Sequence, residues 1–257
     1  MTRGARIAVA GIVGLVAFLL LWETAVRMLG VQPFVLQPPS RILAELADRP
    51  GVYLGEALVT ARHAVAGLAI SLAVSVVLGA LLASSRFAED AMQPVLVLIL
   101  VTPWVSYFVS LVIWLGPGAR PVVFLVAFVT APVLTFAMTA GLRSADPAAR
   151  ELLTSVDAGW WEVMWRLRLP SALPTMFATS RFAVALALAA AYFGEGGNLR
   201  NDGLGNLGRV AANRSLAEQL WATIATTALL GIVLLTLVTV IERIVLRWHP
   251  SQTRLPV

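Results

Sequence analysis

The 257 residues are 59% hydrophobic and only 13% charged, with a mean hydropathy of +0.84; this exceeds what a water-soluble domain can bury and calls for a polytopic membrane protein. All nineteen basic residues are arginine, so the lysine of a P-loop is missing and no standard ATP site is carried; zero cysteines and two histidines leave no disulfide or zinc framework. A net charge of +5 would suggest nucleic acid in a soluble protein, but in a membrane protein arginine belongs at headgroups and flanking loops, and no nucleic-acid partner is expected.

Residues 7–29 form the first apolar span, behind Arg3 and Arg6. No small-x-small cleavage site precedes the WETAVR continuation and further spans follow, so a retained helix is expected rather than a signal peptide. Pro38 and Pro39 stop any helix in residues 31–46, and Ser40 is placed to cap a short amphipathic one at the outer interface. The second span covers about 56–85. On it Gly67, Ser71, Ser75, Gly79 and Ala83 recur at every fourth residue, a narrow stripe where another helix can come close. Arg62 and His63 at its outer end are expected to face water or headgroups, and Arg86, Glu89 and Asp90 mark the inner turn.

The third span, 91–115, contains Pro103, expected as a kink tolerated by its neighbours. Thr102, Trp104, Ser106 and Tyr107 cluster around it. They fit either a packing helix with hydroxyls bonded to their own backbone, or the lining of a solute pathway. Gly116-Pro117-Gly118 makes an outer turn, and residues 122–142 return with Pro132 as a second kink. The fifth span, 173–194, reaches crossing length only if it encloses Ser180 and Arg181. An intramembrane arginine is costly and must snorkel, pair or line an aqueous cavity; a structural role near the inner end is preferred over a substrate contact. Ala183–Ala191 makes a slim helix suited to the bundle centre, with Tyr192 near its outer end. Residues 195–214, rich in Gly and Asn, read as solvated turns, and together with residues 31–50 they form an outer surface for a partner. Residues 218–246 are the last span, with Thr223, Thr227 and Gly231 on one stripe and Glu242, Arg243, Arg247 and Arg254 marking the tail.

The organising stretch is the loop at 143–172, which holds ELLTSVDAGWWEVMWRLRLP at residues 151–170. It is too charged for hydrocarbon and too long for a turn. An Asp146-Pro147 start opens one short helix to Val156, Asp157-Ala158-Gly159 breaks it, and Trp160–Leu169 forms a second. Trp160, Trp161 and Trp165 with Leu167 and Leu169 put an apolar surface on a polar loop, which suits docking. This segment resembles the cytoplasmic coupling loop of the permease subunits of binding-protein-dependent ABC importers: Glu-Ala-Ala, three residues, Gly, nine residues, Ile-x-Leu-Pro. Glu151, Leu167, Leu169 and Pro170 fall on the Glu, Ile, Leu and Pro; Leu152 and Leu153 replace the alanines, and Asp157 replaces the Gly. Asp tolerates the left-handed turn that Gly supplies more cheaply. The Pro-Ser step before the short outer helix is similar to the nitrate, sulfonate and taurine branch.

The resemblance implies an all-α permease of about six transmembrane helices, with the coupling loop between spans four and five and both termini cytoplasmic in a bacterial inner membrane. With Arg181 left aside as intramembrane, the side expected to be inner holds ten arginines against eight outside, a thin positive-inside bias. It implies a homodimer, two ATPase subunits that bind the ATP and Mg while this chain holds no cofactor, and an extracytoplasmic solute-binding protein. Glu151 is expected to cap or orient the docking helix, Asp157 and Gly159 to turn the loop, and Leu169-Pro170 to fix the start of the fifth span. The branch moves nitrate, sulfonates, taurine and thiamine precursors. An ion-driven secondary transporter would want carboxylates at mid-membrane, whereas Glu23 and Glu195 are expected near the outer surface. An intramembrane serine protease or metalloprotease lacks its Gly-x-Ser or His-Glu-x-x-His, and an exporter would usually lack the coupling-loop pattern.

Overall fold

In the computed structural model residues 3–198 and 202–248 are described, and every regular element among them is helical. Residues 199–201 of the outer loop, His249 and Arg254 lie outside the described residues, as does the side chain of Arg3. Helix α1 (Arg3–Met28) lies at the edge, with 6% of its apolar window buried. It is held by an edge contact of Trp22 on Trp221 at 5.9 Å and by Glu23, which accepts from Ser40 N at 3.0 Å and Ser40 Oγ at 2.8 Å. The expectation that Ser40 caps the next helix is thus corrected. In α2 (Pro39–Asp48) Pro38 is the N-cap, and the carboxylate of Glu23 satisfies the free N–H from outside the helix.

The centre is built from α3 (Pro50–Ser84), α6 (Ala119–Arg143) and α9 (Leu169–Gly196). Helix α6 lies innermost, with 67% of its window buried against 28% for α3. Lipid gives apolar surfaces little reason to leave it, so close van der Waals contact must hold such helices together. The small-residue stripe supplies it. A Cβ on Gly67 would overlap Val126, one on Gly79 would meet Met138 Cγ at 2.5 Å, and one on Gly141 would meet Ala172 Cα at 2.8 Å. Between those contacts Ser75 donates to Ser71 O at 2.7 Å and to Ala131 O at 3.2 Å, so its hydroxyl is satisfied inside the interface, whereas that of Ser71 is buried without a hydrogen-bond partner. Ala183, Ala187, Ala190 and Ala191 of α9 are fully buried, as a slim central helix requires.

The third span departs from expectation. Helix α4 (Arg86–Val101) ends at Thr102; a 3-10 turn (Trp104–Tyr107) and α5 (Phe108–Leu115) then leave at 87° to it. Pro103 lacks the N–H that would continue the ladder and forces Thr102 into an extended conformation, ψ 126°, so the expected kink becomes a break. Among the described residues five helices are long and apolar enough to cross a membrane, six if this bent pair counts as one span. Gly116 (φ 76°) and Gly118 (φ 123°) form the turn into α6 in backbone regions that L side chains rarely adopt. Pro132, by contrast, stays inside an unbroken α6.

Two further boundaries move. After α7 (Pro147–Ser155), α8 (Trp160–Val163) runs through a π segment (Met164–Arg168) directly into α9, giving one continuous 37-residue helix, Trp160–Gly196. Leu169-Pro170 therefore does not start a separate span. Leu169 N–H bonds Met164 O, the wider π spacing just ahead of a proline that has no N–H to give, and Ser171 Oγ covers Leu167 O at 2.8 Å. The outer loop is not merely solvated turns: α10 (Leu204–Asn213) buries Leu204, Gly205, Gly208 and Ala211 against α9, and α11 (Ala217–Val245) follows. Gly205 is needed there because a Cβ would overlap the carbonyl oxygen of Tyr192. Thr223 and Gly231 of α11 face α9, with Thr223 Oγ1 at 3.4 Å from Tyr192 Oη.

Candidate functional site

Between α6 and α9 the chain makes an elbow. Asp146 opens α7, its Oδ1 accepting from Ala148 N at 3.0 Å with Pro147 in the first turn. Glu151 is exposed and does not cap; that role belongs to Asp146. Helix α7 ends where Asp157 turns left-handed at φ 58°. Gly159 sits at φ −67°, ψ 164°, and a Cβ there would meet nothing within 4 Å. The turn expected of Asp157 and Gly159 together is thus made by Asp157 alone.

The elbow sorts its apolar side chains onto two sides. Leu152, Val156, Trp160, Trp161 and Trp165 are each more than half exposed, and Trp160 packs edge-on against Trp161 at 4.8 Å. Leu167 and Leu169 are partly buried, Leu169 against the cluster of Met138, Met164 and Ala172. Leu167 and Leu169 therefore anchor the elbow, while each tryptophan keeps at least half of its surface exposed. Five large exposed apolar side chains gathered on one charged elbow are the kind of surface expected of a docking site. Behind it, Arg143 holds three elements: both its terminal nitrogens donate to Glu89 at 2.7 Å, and Nη2 also reaches Leu82 O at 2.8 Å.

The candidate pathway residues do not converge. Thr102 Oγ1 donates to Leu98 O at 2.7 Å, and Ser180 Oγ to Met176 O at 2.7 Å, both back onto their own helices. Ser106 is exposed. Trp104 packs edge-on against Phe193 at 5.3 Å and Tyr107 against Phe128 at 5.4 Å, and the Tyr107 hydroxyl is buried without a hydrogen-bond partner. Tyr192 lines an apolar cavity of about 500 Å³ between α9 and α11, with Val184, Leu188, Thr227, Gly231 and Leu235. Arg181 lies elsewhere: its Nη2 donates to Glu242 Oε2 at 2.6 Å, tying α9 to the end of α11.

Sequence reasoning missed a buried carboxylate. Glu195 was expected near the outer surface and His63 facing water; both are buried, Glu195 completely. Glu195 Oε1 lies 2.8 Å from His63 Nδ1, and Oε2 accepts from Thr60 Oγ1 at 2.8 Å and Gly205 N at 3.0 Å. Thr60 Oγ1 in turn accepts from Leu204 N at 2.9 Å, and Glu56 accepts from Gly203 N. The cluster pins α10 into the corner between α3 and α9. The signal was present: Glu56, Thr60 and His63 share one face of a helix, and the Gly203–Gly205 turn supplies N–H groups that can approach a carboxylate closely. Among the described residues no group of three or more His, Asp or Glu could hold a metal ion.

Residues 75–248 match the family described as binding-protein-dependent transport system inner membrane component. The chain belongs to that family. It is 32% identical over 241 residues to the formylaminopyrimidine transport permease protein ThiX of Halalkalibacterium halodurans, covering 91% of this chain and 93% of that one. It is 28% identical to the riboflavin transport system permease protein RibX of Chloroflexus aurantiacus (93% and 90%), and 25% to the taurine transport system permease protein TauC of Escherichia coli (92% and 89%). The fold is shared with a chain of the MetNI methionine ABC transporter in an inward-facing conformation, at TM-score 0.68 and 14% identity over 77% of this chain and 98% of that one. This permease is thus a multi-pass inner-membrane subunit of an ABC importer for a small solute, a transport component that works with an ATPase and a solute-binding protein.

Proposed function

We propose that the elbow Pro147–Arg168 is the ATPase-docking and force-transmitting element of this permease. The observation that carries this is the unbroken helix Trp160–Gly196: a displacement at the exposed tryptophans is a displacement of a central span. In the proposed assembly two copies of this chain form a homodimer with two ATPase subunits, which bind the ATP and Mg. Both termini lie on the cytoplasmic side with the elbow. The sparsely buried α11 and the apolar cavity beside Tyr192 provide surface for the second copy or the pathway. ATP-driven closure of the ATPases moves the inner ends of α9, and the side to which the central cavity opens changes with them.

For the solute, we favour a ring-shaped organic molecule over a small inorganic anion. Arg181 is already paired with Glu242, so its charge is spent within the chain, while the partly exposed Trp104, Tyr107 and Phe193 supply aromatic edges and faces at the broken span. Relatives named for formylaminopyrimidine and riboflavin support the same class.

The test replaces Trp160 and Trp161 with Ser. The variant should reach the membrane at normal abundance, retain less ATPase on purification, and lose at least about tenfold in uptake, the loss of one or two buried aromatic anchors at an interface. Normal uptake with normal ATPase retention would remove the elbow from the mechanism. Competition of uptake by pyrimidines and flavins, against nitrate and taurine, decides the solute class.

A further inference from the structure

Where α3 and α6 end, the elbow roofs a cavity of about 460 Å³ lined by Ala83, Ser84, Arg86, Arg143, Arg150, Trp160 and Arg168. Four guanidinium groups from four segments converge on it. Among the described residues only Arg143 of the four has an ion-pair partner, Glu89, and Arg86, Arg150 and Arg168 form no ion pair or side-chain hydrogen bond. Such a gathering is self-repulsive unless a counterion enters it. Planar guanidinium forks suit a tetrahedral oxyanion, each presenting two parallel N–H groups.

The cavity meets the docking face only at Trp160, which lines it and is also 51% exposed. On α7, Leu152 and Val156 are turned about 200° and 240° from Arg150 at 100° per residue, so the arginine looks toward the bundle while the apolar side chains look away. Depth also points to a headgroup: two membrane-length helices, Pro50–Ser84 and Ala119–Arg143, finish at this level. Phe87, next to Arg86, is 83% exposed and offers an acyl chain its contact. Basic pockets at the ends of spanning helices take phosphorylated lipid headgroups for these reasons.

We propose that this cavity binds a phosphate-bearing anion, supplied by an acidic phospholipid headgroup, which bridges Arg150 and Arg168 of the elbow to Arg86 and Arg143 of the bundle. The ligand would complete the rear support of the elbow, so lipid composition would tune how firmly the elbow follows α9.

The detergent-solubilised importer complex is titrated with phosphatidylglycerol, with phosphatidylcholine, and with inorganic phosphate. Thermal unfolding and native mass spectrometry are the readouts. The expected result is retained phosphatidylglycerol and a raised unfolding midpoint, neither seen with phosphatidylcholine, with retention falling at least about tenfold in R86Q/R150Q/R168Q. The R62Q/R120Q/R214Q variant, a loss of three exposed arginines away from the cavity, controls for net charge and should behave as wild type. A midpoint raised by inorganic phosphate alone, and lost in the triple variant, supports the site with free phosphate as its source. Equal retention of both lipids with no response to inorganic phosphate, or retention unchanged in the triple variant, overturns the proposal. So does a triple variant that keeps its lipid but sheds the ATPase, since the arginines would then serve an acidic protein surface.

Discussion

Asp157 occupies the position where a glycine would be cheapest, at φ 58°. Asp and Asn enter this region at modest cost, whereas a β-branched side chain is strained by about 1–2 kcal/mol. D157G should therefore keep or slightly raise uptake, and D157V should lower it while leaving membrane abundance unchanged, as read by parallel uptake and immunoblot. Gly159 makes the opposite case. Its backbone conformation is open to any residue, and G159A should be silent in both assays. Glu195 carries a heavier burden: truncation to Ala strands His63, Thr60 and Gly205 N–H without their acceptor. Each buried polar group left without its partner costs about 1–3 kcal/mol. E195A should thus lose most monodisperse protein after extraction, and E195Q, which keeps an acceptor oxygen, should lose clearly less.

At the scale of whole elements, the pairing of α3 with α6 rests on positions that have no room. G67L and G79L would drive side chains into Val126 and Met138, and overpacking of this kind costs about 1–3 kcal/mol or more; the expected outcome is a lower unfolding midpoint, measured on the purified complex. This stripe was readable because a repeat of four in an apolar helix has few other uses. The break at Pro103 was harder to foresee. Proline announces a disturbance, but whether a helix bends or stops depends on what receives the next segment, and here Phe108 inserts against Val122 and Phe193. The elbow was legible in outline, with Asp146 and Asp157 in the expected places. Its continuity into α9 was not, because Pro170 reads as a boundary until a π turn ahead of it removes the clash. The Glu195 cluster was legible only in its two halves, since Glu195 is more than 130 residues from Thr60 and His63 and packing alone joins them.

At the scale of the molecule, burial is uneven: a tight centre of α3, α6 and α9 is flanked by α1 and α11, with 6% and 11% of their windows buried. The flanks are fastened by polar ties at their ends: Glu23 to Ser40, Arg41 to Glu218 at 3.2 Å, and Arg181 to Glu242. A pair such as Arg181–Glu242, half exposed on one side, contributes at most about 1 kcal/mol. R181E/E242R should accordingly restore most of whatever R181E alone loses in uptake, with solute preference unchanged; a preference altered by both variants would make Arg181 a solute contact.

The π segment ahead of Pro170 bears on torque. One extra residue in a helix offsets everything beyond it by about 100°, so a wandering bulge would let the tryptophans swivel while the span stood still. Proline holds that offset at one address along the rod. Twist applied at one end therefore arrives at the other without slippage, much as a key in a driveshaft prevents the hub from spinning freely.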